Sequence, residues 1–169
     1  LSEEDRERLD SLIALVEVEW AMGALAPGKS PGPSGFPCEF FRAHLQSFGG
    51  PRLRVYEEAF EKGAFPPDLQ KAEIVVLPKA GRPAECCSSY RPISLLNVEI
   101  KVLAKVLADR LRGVVSTLVH PDQAGFMPGR ATRHNIRRVY SALALGGRLQ
   151  GPLALLLVDM VKAFDSVDW

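Results

Sequence analysis

Apolar residues recur at helical spacing near the start of the chain: Leu9, Leu12, Ile13, Val16 and Trp20, with acids on the other faces. This period predicts one or two amphipathic helices, opened by Ser2 with Asp5 three residues on, the spacing of a capping box. The stretch "APGKSPGPSGFP" follows, and its prolines and glycines cannot continue a regular element. Helical spacing resumes in "CEFFRAHLQSFGG", which places Phe40, Phe41, His44, Leu45 and Phe48 on a helix that Gly49 ends. "PRLRVYEEAFEKG" repeats the plan, with Pro51 near its start and Gly63 past its end.

The pattern then changes period. "AEIVVLP" is a short β-branched run and predicts a strand closed by Pro78. "KAGRPAECCSSYRP" is a polar connection. From Asn97, in N-cap position, a long helix is expected to about Leu118, with Ile100, Leu103, Leu107, Leu111 and Val114 as its apolar stripe. "HPDQAGFMPGR" predicts a loop, and "ATRHNIRRVYSALALGG" a helix carrying Arg133, Arg137 and Arg138 in its first turns. Residues 153–158 are continuously apolar and predict a buried final strand, which ends on the carboxylate of Asp159. Mostly helices with two interspersed strands make a helix-rich α+β chain. Two strands cannot bury both faces of residues 153–158, so sheet partners are expected outside this chain. Its start and end give it the look of a fragment.

Charge sharpens this picture more than composition does. The net charge is only +1, yet residues 1–20 hold seven acids against two bases, and residues 71–138 hold twelve bases against five acids. Clustered Lys and Arg suit a polyanion, which rewards them by counterion release; a merely solvated surface is the alternative. The three cysteines offer no C-x-x-C spacing and no disulfide framework, which fits a reducing, intracellular setting. No apolar run reaches the length that spans a bilayer.

Candidate chemistry gathers at two places. Asp159, at a strand end with Asp165 and Asp168 downstream, suits a hard, oxygen-preferring cation such as Mg²⁺; capping whatever follows the strand is the alternative. Phe164 could lie against the sugar of a bound nucleotide, or simply in a core. Lys79, Arg82 and Arg91 flank the polar connection as converging donors for a triphosphate. Arg130, Arg133, Arg137 and Arg138 form a second basic cluster, suited to a nucleic-acid backbone. The three histidines are scattered, and "GKSPG" lacks the spacing of a phosphate-binding loop.

Five stretches in order carry a resemblance: "GKSPGPSGFPCEFF", "IVVLPKAG", "SSYRPISLLNVEIKVLAKVLADRLR", "HPDQAGFMPGR" with "NIRR", and "LLLVDMVKAFDSVDW". Over residues 9–169 the chain resembles the reverse transcriptases of non-LTR (LINE-type) retrotransposons. The resemblance implies an incomplete right-hand polymerase: a helical segment at residues 1–26, fingers at 27–151, and the first palm strand at 152–169. It implies RNA template, DNA primer and dNTPs as partners, no membrane, and access to nucleus and cytoplasm. Asp159 matches the first metal-binding aspartate of a two-Mg²⁺ site and Phe164 the 2′-hydroxyl gate. Lys79 and Arg91 match finger residues near the incoming triphosphate. Gln123, Gly125, Phe126, Arg130 and Arg133 match the template-supporting segment.

The same resemblance sets limits. Its second metal aspartates lie in an aromatic-x-Asp-Asp hairpin, and no Asp-Asp pair occurs in these 169 residues. This chain is therefore expected not to polymerise by itself. A catalytically dead RNA-binding remnant, or a decayed copy of an element, is the alternative. Ser34, Glu99 and His134 stand where Asp is usual or common. Leu12 and Ala14 stand where a Pro and a Thr would open a new helix, and their presence is expected to blur the boundary between the first two helices.

Overall fold

A computed structural model describes residues 1–147 and 154–159. Phe164, Asp165 and Asp168 lie outside the described residues. Two compact units divide the chain, Leu1–Leu118 and Val119–Trp169.

The first unit opens with α1 (Glu3–Asp10) and α2 (Leu15–Ala24). Ser2 and Asp5 form the expected capping box: the Ser2 hydroxyl accepts from the Asp5 amide at 3.1 Å, and the Asp5 carboxylate accepts from the Ser2 amide at 3.4 Å. The boundary between the helices is not blurred. Ala14 carries no side-chain cap, but its amide donates to Glu17 Oε2 at 2.8 Å. The stronger constraint comes from far along the chain. Arg110 donates to the carbonyls of Leu9, Ser11 and Leu12 at 3.3, 2.6 and 2.9 Å, and pairs with Glu17 at 2.7 Å. One guanidinium does what a Pro and a Thr were expected to do.

After the 25–37 loop come α3 (Cys38–Ala43) and α4 (Leu45–Lys62). The break falls at His44, not at Gly49, and α4 runs through Gly49, Gly50 and Pro51. Gly49 is there for contact. A Cβ on it would meet Leu15 Cδ1 at 3.1 Å and Glu19 Cγ at 3.2 Å, so glycine lets α4 approach α2 closely. Gly63 caps α4 in the left-handed conformation, as expected. A short α5 (Pro67–Gln70) leads into β1 (Ala72–Pro78).

β1 pairs antiparallel with a second strand, β2 (Tyr90–Leu96), in the register Ala72↔Leu96 to Pro78↔Tyr90. The polar connection expected over residues 79–92 instead gives way to a strand at Tyr90, although Pro92 cannot donate to a ladder. A two-stranded sheet resolves this, since every strand in it is an edge. The pair turns much apolar surface outward at Ile74, Val76, Leu77 and Ile93.

From β2 the chain enters α6 (Val98–Leu118), placed where the sequence predicts. Its buried face is Val98, Val102, Leu103, Val106 and Val114, so Leu103 and Val114 of the expected stripe lie inside while Leu107 and Leu111 are exposed. Either stripe keeps helical period; contact with α2 selects the valine face. The core joins Val98, Val102 and Val106 to Val18, Ala21, Met22, Phe41 and Tyr56.

In the second unit a loop leads to α7 (Thr132–Gly146), on which no residue is buried. The final strand is a correction. Residues 154–159 have no regular structure, and Leu155, Leu156, Leu157 and Val158 are exposed. Only β1 and β2 are hydrogen-bonded as a sheet among the described residues, and a strand without a neighbour has nothing to satisfy its backbone. Among the described residues no helix is long and apolar enough to cross a membrane.

Candidate nucleotide and template site

β1 and β2 bring Lys79 and Arg91 to one end of the sheet. Arg91 pairs with Leu77 in the register, and Lys79 follows the last residue of β1. The Lys79 amide donates to the Ser89 carbonyl at 2.7 Å and its ammonium to the Ser88 carbonyl at 2.7 Å. The long connection is thus folded back on the lysine. The Tyr90 hydroxyl pins it once more, donating to the Ala84 carbonyl at 3.0 Å. Lys79 is half-buried while Arg82 and Arg91 are exposed, and the Arg82 amide donates to the Lys79 carbonyl at 3.3 Å. Such a group of donors suits the oxygens of a polyphosphate.

The junction behind this sheet is rigid for a reason the sequence concealed. Asn97 occupies the expected N-cap position, but its side chain serves other segments. Oδ1 accepts from the Ser34 amide at 2.9 Å, and Nδ2 donates to the Asp68 carbonyl at 3.2 Å. Gly32 packs so closely there that a Cβ would meet Asn97 N and Leu96 C at 2.4 Å. The Lys101 ammonium donates to the Ser30 carbonyl at 3.2 Å. The 25–37 loop is therefore held against the end of β2 and the start of α6.

In the second unit Gln123, Gly125, Phe126 and Arg130 share one loop. Arg130 donates to the carbonyls of His120 and Gln123 at 2.7 and 3.0 Å, and to that of Val119 at 3.3 Å. The Gln123 amide donates to the Gly125 carbonyl at 3.2 Å. Asp122 links this loop to α7: its carbonyl accepts from Asn135 at 2.9 Å and its carboxylate pairs with Arg138. Arg133 is exposed in the first turn of α7. Phe126 is the unusual member, with φ at 59° and its ring fully in solvent. A bulky side chain in the left-handed region costs on the order of 1–3 kcal/mol and marks functional sites.

Asp159 is exposed, and Phe164 lies outside the described residues. No three His, Cys, Asp or Glu side chains converge among the described residues. A single exposed carboxylate does not hold a divalent ion, although it can supply one ligand.

Residues 77–169 match the family "Reverse transcriptase (RNA-dependent DNA polymerase)". This chain belongs to the reverse transcriptase family. Lys79, Arg91, the Gln123–Arg130 loop and Asp159 all fall inside the matched span. Similarity extends beyond it. The chain is 37% identical over 168 residues, 99% of its length, to the "Transposon TX1 uncharacterized 149 kDa protein" of Xenopus laevis. It is 30% identical over 115 residues, 67% of its length, to the "Probable RNA-directed DNA polymerase from transposon BS" of Drosophila melanogaster. It is 28% identical over 157 residues, 91% of its length, to the "Retrovirus-related Pol polyprotein from type-2 retrotransposable element R2DM" of the same species. These relatives are named as proteins of transposons and of a retrotransposable element. The chain spans only 13–14% of the length of these three relatives.

Proposed function

We propose that this chain forms the nucleotide- and template-facing part of an RNA-directed DNA polymerase that adds dNTPs to a 3′-hydroxyl on an RNA template. Residues 27–151 act as fingers of a right-hand polymerase, and 152–169 begin its palm. Lys79 and Arg91 bind the incoming triphosphate, with Phe164 near its sugar. Gln123, Gly125, Phe126, Arg130 and Arg133 support the template. Asp159 contributes one carboxylate toward Mg²⁺, which in phosphoryl transfer neutralises charge on the phosphate oxygens. The chain's own residues bind and orient; among the described residues, Asp159 is the one placed to serve that metal.

The observation that carries this reading is the convergence of Lys79 and Arg91 at one end of a hairpin whose connection is tied down on the lysine. Titration of the chain with a fluorescent dNTP tests it. Lys79→Ala and Arg91→Ala should each weaken binding roughly 10- to 100-fold, the worth of a charged hydrogen bond. Unchanged affinity in both variants would remove the nucleotide assignment.

The exposed Arg133 and the loop ordered by Arg130 also favour a second reading, an RNA-holding module without chemistry. In that case RNA binding falls steeply with salt and with Arg133→Ala, while Asp159→Asn leaves it unchanged.

A further inference from the structure

The connection between β1 and β2 carries two adjacent, exposed cysteines, Cys86 and Cys87, at the turn that holds Lys79. Four successive carbonyls there are engaged. That of Cys86 accepts from the Ser89 amide at 2.9 Å, and that of Cys87 from the Tyr90 amide. Those of Ser88 and Ser89 accept from the Lys79 ammonium and amide. Whatever moves the two cysteines therefore moves the acceptors of the lysine.

Their covalent geometry selects the partner. The peptide between them is trans, so their Cα atoms stand about 3.8 Å apart. Unstrained disulfides keep Cα atoms about 4.4–6.8 Å apart, so direct S–S closure is disfavoured. An atom inserted between the sulfurs lengthens the span and removes that obstacle. We infer that Cys86 and Cys87 form a bidentate dithiol site for a soft, thiophilic centre of the trivalent arsenical class, and that filling it shifts the turn holding Lys79. With an organoarsenic(III) oxide, two As–S bonds form and the As–O bonds break. The oxygen leaves as water with both thiol protons, and arsenic stays trivalent, so neither oxidant nor reductant is consumed.

Cys38 is no competitor. It is buried, and its thiol donates to the Ala26 carbonyl at 3.2 Å. The thiol site stands on its own geometry; only its consequence for nucleotide binding rests on the function proposed for Lys79.

The test is intact-mass spectrometry of the chain with phenylarsine oxide under glutathione competition. The wild type and Cys38→Ser should hold one arsenical against at least about 100-fold more glutathione than Cys86→Ser or Cys87→Ser, because the second thiol acts at high effective concentration. Equal displacement from all four proteins would overturn the site. Acylation of Lys79 by acetic anhydride reads the coupling. It should speed up roughly two- to tenfold on arsenical binding, as the bond to Ser88 is lost. An unchanged rate would overturn the coupling. Failure of Lys79→Ala to alter dNTP binding would remove the nucleotide role and leave both thiol results standing.

Discussion

Arg110 shows how much one residue can fix. Its side chain is 8% exposed, and it satisfies three carbonyls of the α1–α2 junction besides Glu17. Arg110→Ala should lower stability by about 3 kcal/mol in denaturant titration, the typical loss when one partner of a buried pair is removed. Arg110→Lys should recover little, because an ammonium cannot present the guanidinium fork. The hydrogen bond from Arg110 holds Glu17 below its ordinary value of 4.5. A carboxyl with a lowered folded pKa stabilises above its unfolded pKa and loses that contribution as pH falls through the folded one. The acid side of the stability profile, from about pH 4.5 downward, should therefore flatten in Glu17→Gln. Phe126 makes the opposite trade. Phe126→Gly should raise stability by about 1 kcal/mol by relieving the positive φ, while weakening single-stranded RNA binding by roughly 1–3 kcal/mol through loss of a stacking ring.

At the scale of elements, period and punctuation located α1, α4, β1, α6 and α7, but not every boundary. Gly49 looked like a helix stop because glycine usually is one; only the neighbouring helix shows that it serves close approach. Gly49→Leu should therefore destabilise through a clash with Leu15 and Glu19. Its unfolding midpoint should fall well below that of Gly50→Leu, where no atom lies within 4 Å of an added Cβ. Residues 153–158 looked like a strand because strand pattern is local, whereas strand formation needs a hydrogen-bonded neighbour. The β1–β2 pair carries the same need less severely. Its exposed Ile74 and Val76 on an open edge mark it for association. Ile74→Lys with Val76→Lys should raise the monomer fraction in analytical ultracentrifugation.

For the whole molecule, the recurring cluster of valines, Tyr56 and Phe41 lies in Leu1–Leu118. In the second unit α7 buries no residue. Hydrogen exchange should therefore find the slowest amides in α2, α4 and α6, with those of α7 exchanging far sooner. Comparable protection in α7 would contradict this. The candidate site was legible in the same uneven way. Lys79 and Arg91 stood out as candidates because their chemistry is in their side chains. Asn97 was recognisable only as a helix cap, because its bonds to Ser34 and Asp68 join positions far apart in the chain.

Arg110 also bears on how such a chain changes over generations. Three of its four attachments are to carbonyls, which every residue type possesses, so positions 9, 11 and 12 can exchange side chains without losing the contact. Positions 17 and 110 have no such freedom, since a change at either strands the other. Drift should thus scatter across the junction while the two ends of the ion pair stay fixed, or change together.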